Sequence, residues 1–163
     1  MSNLAGIPLN SFAEHNDATP LFTPGTIKRD KATSKVYKYI QAEDAALAIG
    51  DVVEYTTAAN DYEVTKDRAG GTSVGRVVAG VALGTITDGY YGWIQVWGRN
   101  TYCKTDGSVA AGDPLVPHVS ADGQADTAAS GSTVVNTEGQ VFGYSLVADT
   151  TSASSAVMLR CAY

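Results

Sequence analysis

The stretch Gly75–Gly98, GRVVAGVALGTITDGYYGWIQVWG, is the most strongly patterned segment of the chain. It reads as two β-strands, Arg76–Ile86 and Tyr91–Trp97, joined at Asp88-Gly89. Asp-Gly between apolar runs is a strong hairpin signal, because Gly tolerates the positive φ that a tight turn needs. The segment carries little that resembles catalytic machinery. It reads as a building element, and it sets the expectation for the whole chain: a protein that binds and holds.

The rest of the sequence follows the same pattern. Val36–Ile40 alternates and predicts a strand. Asp51–Thr56 and Tyr62–Lys66 predict a hairpin around Ala59-Asn60-Asp61. Arg99–Lys104, Leu115–Val119, Gln124–Asp126, Gln140–Val147 and Ala156–Ala162 complete about ten short strands divided by turn signals. Glu43–Ile49 has room for one helical turn before Gly50-Asp51 stops it. The fold expected is therefore all-β, a compact β-barrel or β-sandwich. At 163 residues with 44% hydrophobic residues, the chain can bury a core without disulfides or metal.

The halves repeat. Ala48-Ile-Gly-Asp-Val-Val53 recurs as Ala110-Ala-Gly-Asp-Pro-Leu115, and Gly75–Leu83 recurs as Gly139–Leu146. Trp93–Trp97 takes Val157–Cys161 as its counterpart. The β domain, residues 36–163, thus divides into halves at about 48–98 and 110–163. Gly50, Asp51, Gly112 and Asp113, like Asp88 and Gly89, are turn residues by their chemistry: Asp bonds nearby backbone and Gly supplies φ freedom. Two copies at matching sites make a structural role the expectation.

Residues 1–35 carry Pro8, Pro20 and Pro24 with no periodicity, which opposes a helix. Leu4, Ile7, Leu9, Phe12, Leu21 and Phe22 make the segment too apolar for a plain linker. It predicts an extended N-terminal arm docked on the protein's own core, on a sister subunit or on a partner. Five of the eleven basic residues, Lys28, Arg29, Lys31, Lys35 and Lys38, lie within eleven positions at its end. They read either as a solvated strip that discourages edge pairing or as a strip that docks on an acidic protein surface.

The search for chemistry yields little. The net charge of −6 opposes a general polyanion binder, so no nucleic-acid partner is expected. Gly71-Thr-Ser-Val-Gly75 has the form of a nucleophile elbow, but a strand follows it where that motif needs a helix. His15 and His118 lack ligand spacing, so no metal and no cofactor is expected. Asp113, Asp122 and Asp126 form no calcium loop and read as solvated turn residues. Cys103 and Cys161 form no framework and read as buried thiols. No apolar run reaches the length of a membrane span, and no signal peptide is read, so a protein made in a cytoplasm is expected. Tyr91, Trp93 and Trp97 share a strand, and Trp93 and Trp97 share a face. They are assigned to a core or subunit interface, with sugar stacking as the alternative.

Taken in order, Gly50–Asp51, Gly80–Leu83, Gly112–Leu115, Gly143–Leu146 and Val157–Leu159 resemble the pattern of the small capsid cement, or head decoration, proteins of tailed bacteriophages. The similarity spans residues 36–163. It implies a non-enzymatic protein on the outer surface of the virion that binds the major capsid protein and braces neighbouring capsomers. It also implies a homotrimer with an N-terminal arm. The arm of this chain matches no motif of that family; its composition makes Leu4, Ile7, Leu9, Phe12, Leu21, Phe22, Lys28 and Arg29 the expected contact residues. The runner-up is a tail or fibre module that binds host-surface glycan through Trp93, Trp97 and neighbouring tyrosines.

Overall fold

The computed structural model describes residues 9–56, 60–67, 77–118, 120–128, 141–151 and 154–161. The fold is all-β. Among the described residues, a short 3-10 helix (Leu9–Glu14) precedes ten strands. They are β1 (Ile27–Asp30), β2 (Lys35–Ala42), β3 (Val52–Tyr55), β4 (Glu63–Thr65), β5 (Val78–Ala82), β6 (Tyr91–Lys104), β7 (Pro114–Pro117), β8 (Ala125–Thr127), β9 (Gly143–Ser145) and β10 (Ser154–Arg160).

The pairings close on themselves twice. β2 pairs with β4, β4 with β3, β3 with β5, β5 with β6, and β6 returns to β2. This is a five-stranded ring in which only the β2–β4 pair is parallel. The second ring runs β6–β10–β9–β7–β8 and closes by a parallel bridge between Thr105 and Ala125. Closure pairs the ring strands on both sides, which protects edges that otherwise template aggregation, and leaves β1 outside the rings, paired with β2 alone. The registers of the two rings coincide. Ala82 faces Ile94 as Ser145 faces Val157, and Val81 faces Gln95 as Tyr144 faces Met158. Leu47 bridges Ile86 as Val109 bridges Asp149.

That register corrects one sequence alignment. The counterpart of Trp93–Trp97 is Ala156–Arg160, one residue earlier than the motif comparison placed it, so Trp93 matches Ala156 and Trp97 matches Arg160. A second correction concerns β6. The strands expected at Tyr91–Trp97 and Arg99–Lys104 are one fourteen-residue strand. Its first half closes the first ring and its second half opens the second. The strand turns between them at Gly98, whose φ of 93° is a left-handed conformation that L side chains rarely adopt. The bend is braced by Gln95, whose side-chain amide donates to the Trp97 and Arg99 carbonyls at 3.1 Å each. Asn100 in turn donates to the Gln95 side chain at 3.2 Å.

Two further expectations change. Glu43–Ile49 forms no helical turn; Leu47 is drawn into the first ring by its bridge to Ile86. Residues 1–35 are not all arm, since Ile27–Asp30 pairs with Lys35–Lys38 as the outer strand of the sheet. The loop from Leu83 to Tyr90 is longer than a tight hairpin, and Asp88-Gly89 makes a turn within it, closed by Tyr90 N–H to the Thr87 carbonyl at 2.9 Å. Leu4, Ile7, the side chain of Leu9, and Gly71–Gly75 lie outside the described residues.

One large cluster of buried apolar side chains fills both rings, from Ile40, Val53 and Ile94 in the first to Leu115, Phe142 and Leu159 in the second. Burying each such side chain contributes about 1.5–3 kcal/mol.

Candidate functional site

β2 and the first half of β6 carry a second, wholly aromatic cluster on the outside of the first ring: Tyr37, Tyr39 and Trp93, with Tyr91 beside them. These residues alternate with the inward Ile40 and Ile94, as strand periodicity requires. Alone they would leave a broad apolar face in water. The N-terminal segment covers it. Phe12 stacks on Tyr37 at 4.5 Å and meets Trp93 edge-on at 4.9 Å. Phe22 packs on Tyr39 at 5.2 Å and on Trp93 at 5.4 Å. Polar ties fix the same segment. The Tyr39 hydroxyl donates to Asp17 at 2.7 Å and accepts from Leu21 N–H at 3.2 Å. Asp17 also pairs with the His15 ring at 2.9 Å, and its backbone bridges Tyr91. Burial and the Asp17 carboxylate together push the Tyr39 hydroxyl well above its ordinary pKa.

The residues expected to reach a partner therefore separate. Phe12 and Phe22 are taken up by the chain's own ring, because Trp93 and Tyr39 offer them a larger apolar contact than water does. Leu21, at 64% exposure, and Arg29 face outward, and Lys28 is half-buried. Tyr91 is stacked on Tyr39 at 6.1 Å. Trp93 is fully buried, whereas Trp97, four residues along the same strand, is 40% exposed. The basic strip divides too: Lys38 is buried, with its ammonium 3.1 Å from the Tyr55 hydroxyl and 3.8 Å from Asp61.

Trp97 forms one wall of an open groove of about 390 Å³ lined by Arg29, Asp30, Lys31, Ser34, Lys35 and Val36. The groove is cationic. Asp30 also lines it; its carboxylate accepts from the Thr33 hydroxyl and from Ala32 N–H, which hold its pKa below the usual range and keep it ionised, so the three cations of the groove outweigh one carboxylate. Periodicity placed the two tryptophans on one face. It gave no sign that the N-terminal segment would cover only one of them.

The Gly-Asp turns show the same asymmetry. Gly50 and Gly112 have φ of 84° and 92°. Asp51 accepts from Ala48 N–H at 2.8 Å and Asp113 from Ala110 N–H at 2.9 Å. Asp51 has a second task. It is buried at the seam between the rings, where it holds the ammonium groups of Lys104 and Lys66, the latter at 3.1 Å. Val52 N–H to Gly123 and Lys104 N–H to Gly50 add backbone bonds across the seam at 2.8 and 2.9 Å.

Asp106, His118 and Asp126 bring one potential ligand atom each within 4.8 Å of the others. However, Nδ1 of His118 accepts from the N–H groups of Ser120 and Ala121 at 3.1 and 2.8 Å. In the neutral ring this leaves the proton on Nε2, so neither nitrogen has a lone pair to spare for a metal. Asp106 N–H also donates to the Ala125 carbonyl at 3.0 Å, beside the bridge that closes the second ring. The geometry favours a hydrogen-bonded clasp over a cation site. Sequence spacing alone does not bring these three residues together.

Comparison with solved structures finds the N base of head fiber gp8.5 of bacteriophage phi29, with a TM-score of 0.51 at 16% identity. The chain shares its fold with a phage head fiber base. The superposition covers 77% of this chain and 93% of the head fiber base. No protein-family model matches the chain. No curated protein matches it either. Among the described residues, no helix is long and apolar enough to cross a membrane.

Proposed function

We propose that this chain is a structural protein of a bacteriophage virion that binds the outer surface of the capsid and stabilises contacts between capsomers. The observation that carries this reading is the fold shared with the head fiber base, a protein of a phage head by its own description. The ordered Gly-Asp and Gly-x-x-Leu motifs, which resemble those of head decoration proteins, support it from the sequence side. The partner proposed is the major capsid protein, with no nucleic acid or membrane involved. The role is one of holding, without catalysis. Symmetry multiplies many weak contacts on a shell, so holding strength needs no single tight site.

The packing refines which residues do this. With Phe12 and Phe22 consumed internally, shell contact falls to Leu21 and to Ile27 on β1, both exposed. A base that mounts a fibre on the capsid is the second reading, favoured by the description of the structural neighbour. The glycan-stacking alternative loses one of its two indoles, because Trp93 is buried.

Co-sedimentation tests the proposal. The chain should pellet with expanded capsids and not with host cells, and Leu21→Asp with Ile27→Asp should lower capsid occupancy by at least tenfold while leaving the fold intact. Pelleting with cells and not with capsids would refute it.

A further inference from the structure

We infer that a second copy of this chain docks head to tail on the first, the cationic Trp97 end of one copy's first ring seating on the anionic end of the next copy's first ring. The inference goes beyond capsid binding and stands independently of it.

The two ends are fixed by β2. At its beginning lies the groove formed by Arg29, Lys31, Lys35 and Trp97. Trp97 pairs with Val36 there, and on its other side with Arg160, whose guanidinium lies 5.5 Å from the centre of the Tyr144 ring. At the other end of β2 the chain continues into Glu43 and Asp44. Glu63 pairs with Gln41 at this end, and Gly89 N–H, next to Asp88, bonds the Ala42 carbonyl at 2.8 Å. Four carboxylates, Glu43, Asp44, Glu63 and Asp88, therefore gather where β2 finishes. Burial, and then repulsion from Glu63, Asp44 and Asp88, raise the pKa of Glu43. The first ring thus presents opposite charge at ends separated by the length of β2, about 25 Å for eight residues at a strand's rise.

Charge complementarity of this kind selects partner and orientation. Trp and Arg, both present at this end, are among the residues enriched at the energetic centres of protein interfaces. A protein of net charge −6 offers an anionic face to its own cationic groove in every copy. Because the two faces differ, the contact is heterologous: it forms a ring if the rotation closes and a filament if it does not.

The test is a mixing experiment read by sedimentation velocity. Wild-type chain should form assemblies that weaken as salt rises, since the contact is screened. Arg29→Gln with Lys31→Gln neutralises one end, and Glu43→Gln with Glu63→Gln neutralises the other. Each paired variant should be monomeric alone. Mixed at equal ratio they should form a one-to-one dimer and nothing larger, because one good face remains on each. Circular dichroism checks folding; if a paired variant unfolds, Lys31→Gln and Asp44→Asn, both at exposed positions, should give the same pattern more weakly. A wild-type monomer across the whole concentration series, or variants that stay monomeric when mixed, would overturn the inference. Retention of polyglutamate by a chain that does not self-associate would also overturn it and give the groove to a foreign acidic partner. Capsid pelleting, measured separately, reports on the proposed function whichever way this falls.

Discussion

Tyr39 and Tyr102 occupy corresponding positions in the two rings, yet Tyr39 is fully buried and Tyr102 is 49% exposed. Turns and bridges match around them, but Tyr39 pairs regularly with Trp93 whereas Tyr102 lies where the β6–β10 register shifts between Ser155 and Val157. The difference in exposure comes from the cover. Phe12, Phe22 and the Asp17 hydrogen bonds close over the first ring, where Trp93 supplies a large apolar platform. The second ring has Ala156 in place of that indole, and its neighbouring Leu146 stays exposed. Duplication reproduced the frame, while side-chain substitution decided which copy would be sheathed and which would show its face.

The largest expected effect separates the two outer faces. Phe12→Ala or Trp93→Ala should lower unfolding free energy by about 3–5 kcal/mol, since each leaves a cavity in a packed aromatic cluster. Tyr102→Ala should stay within about 1 kcal/mol, as expected of an exposed position. Urea denaturation measures both, and equal losses at Phe12 and Tyr102 would show that the N-terminal segment does not cover the first ring.

The paired Asp turns come next. Asp51→Ala removes a buried carboxylate that holds two lysines, and should cost about 2–4 kcal/mol, somewhat less than a fully buried pair because both lysines reach water. Asp113→Ala loses only its turn bond, about 0.5–1.5 kcal/mol. A Tm series on both variants would collapse the distinction if the two drops matched.

Alkaline pH provides a smaller, graded probe of the second ring. Cys103 stands where Ile40 stands in the first ring, and Cys161 where Gly98 stands. Burial pushes both thiols up, Cys161 to about 12 and Cys103 further. A raised folded-state pKa means that the folded chain keeps protons the unfolded chain has released. That stability is complete below about pH 8.5, the ordinary thiol value, and is lost as pH rises toward 12. Stability curves from pH 7 to 11 should therefore fall at the upper end, and Cys103→Ala should flatten the fall. An unchanged slope would remove the thiols from the account. The smallest effect is expected at Trp97→Ala, within about 1 kcal/mol of wild type, because this indole is partly solvated; a loss as large as that of Trp93→Ala would place it in the core.

Much of this architecture was legible in the sequence because turn chemistry is local. Gly50-Asp51 and Gly112-Asp113 announce the repeat, alternation marks β2, and the apolar runs on either side of Asp88-Gly89 mark β5 and β6. The continuity of β6 was not legible: Gly98 looks like a break, and only pairing on both sides, with β2 and then β10, keeps the strand running through it. β1 was hidden by its lysine and arginine, which an edge strand tolerates on its solvent face. The cover over Trp93 was hidden for a different reason. Phe12 and Phe22 sit in an aperiodic, proline-bearing segment, and nothing local says which surface such a segment will meet.

Gradient centrifugation with purified expanded capsids tests the proposed capsid binding. The folded chain should move into the capsid band, saturate at a fixed copy number per capsid, and be lost from the band when Leu21 and Ile27 become Asp. A folded chain that remains at the top of the gradient at every ratio of chain to capsid would contradict it.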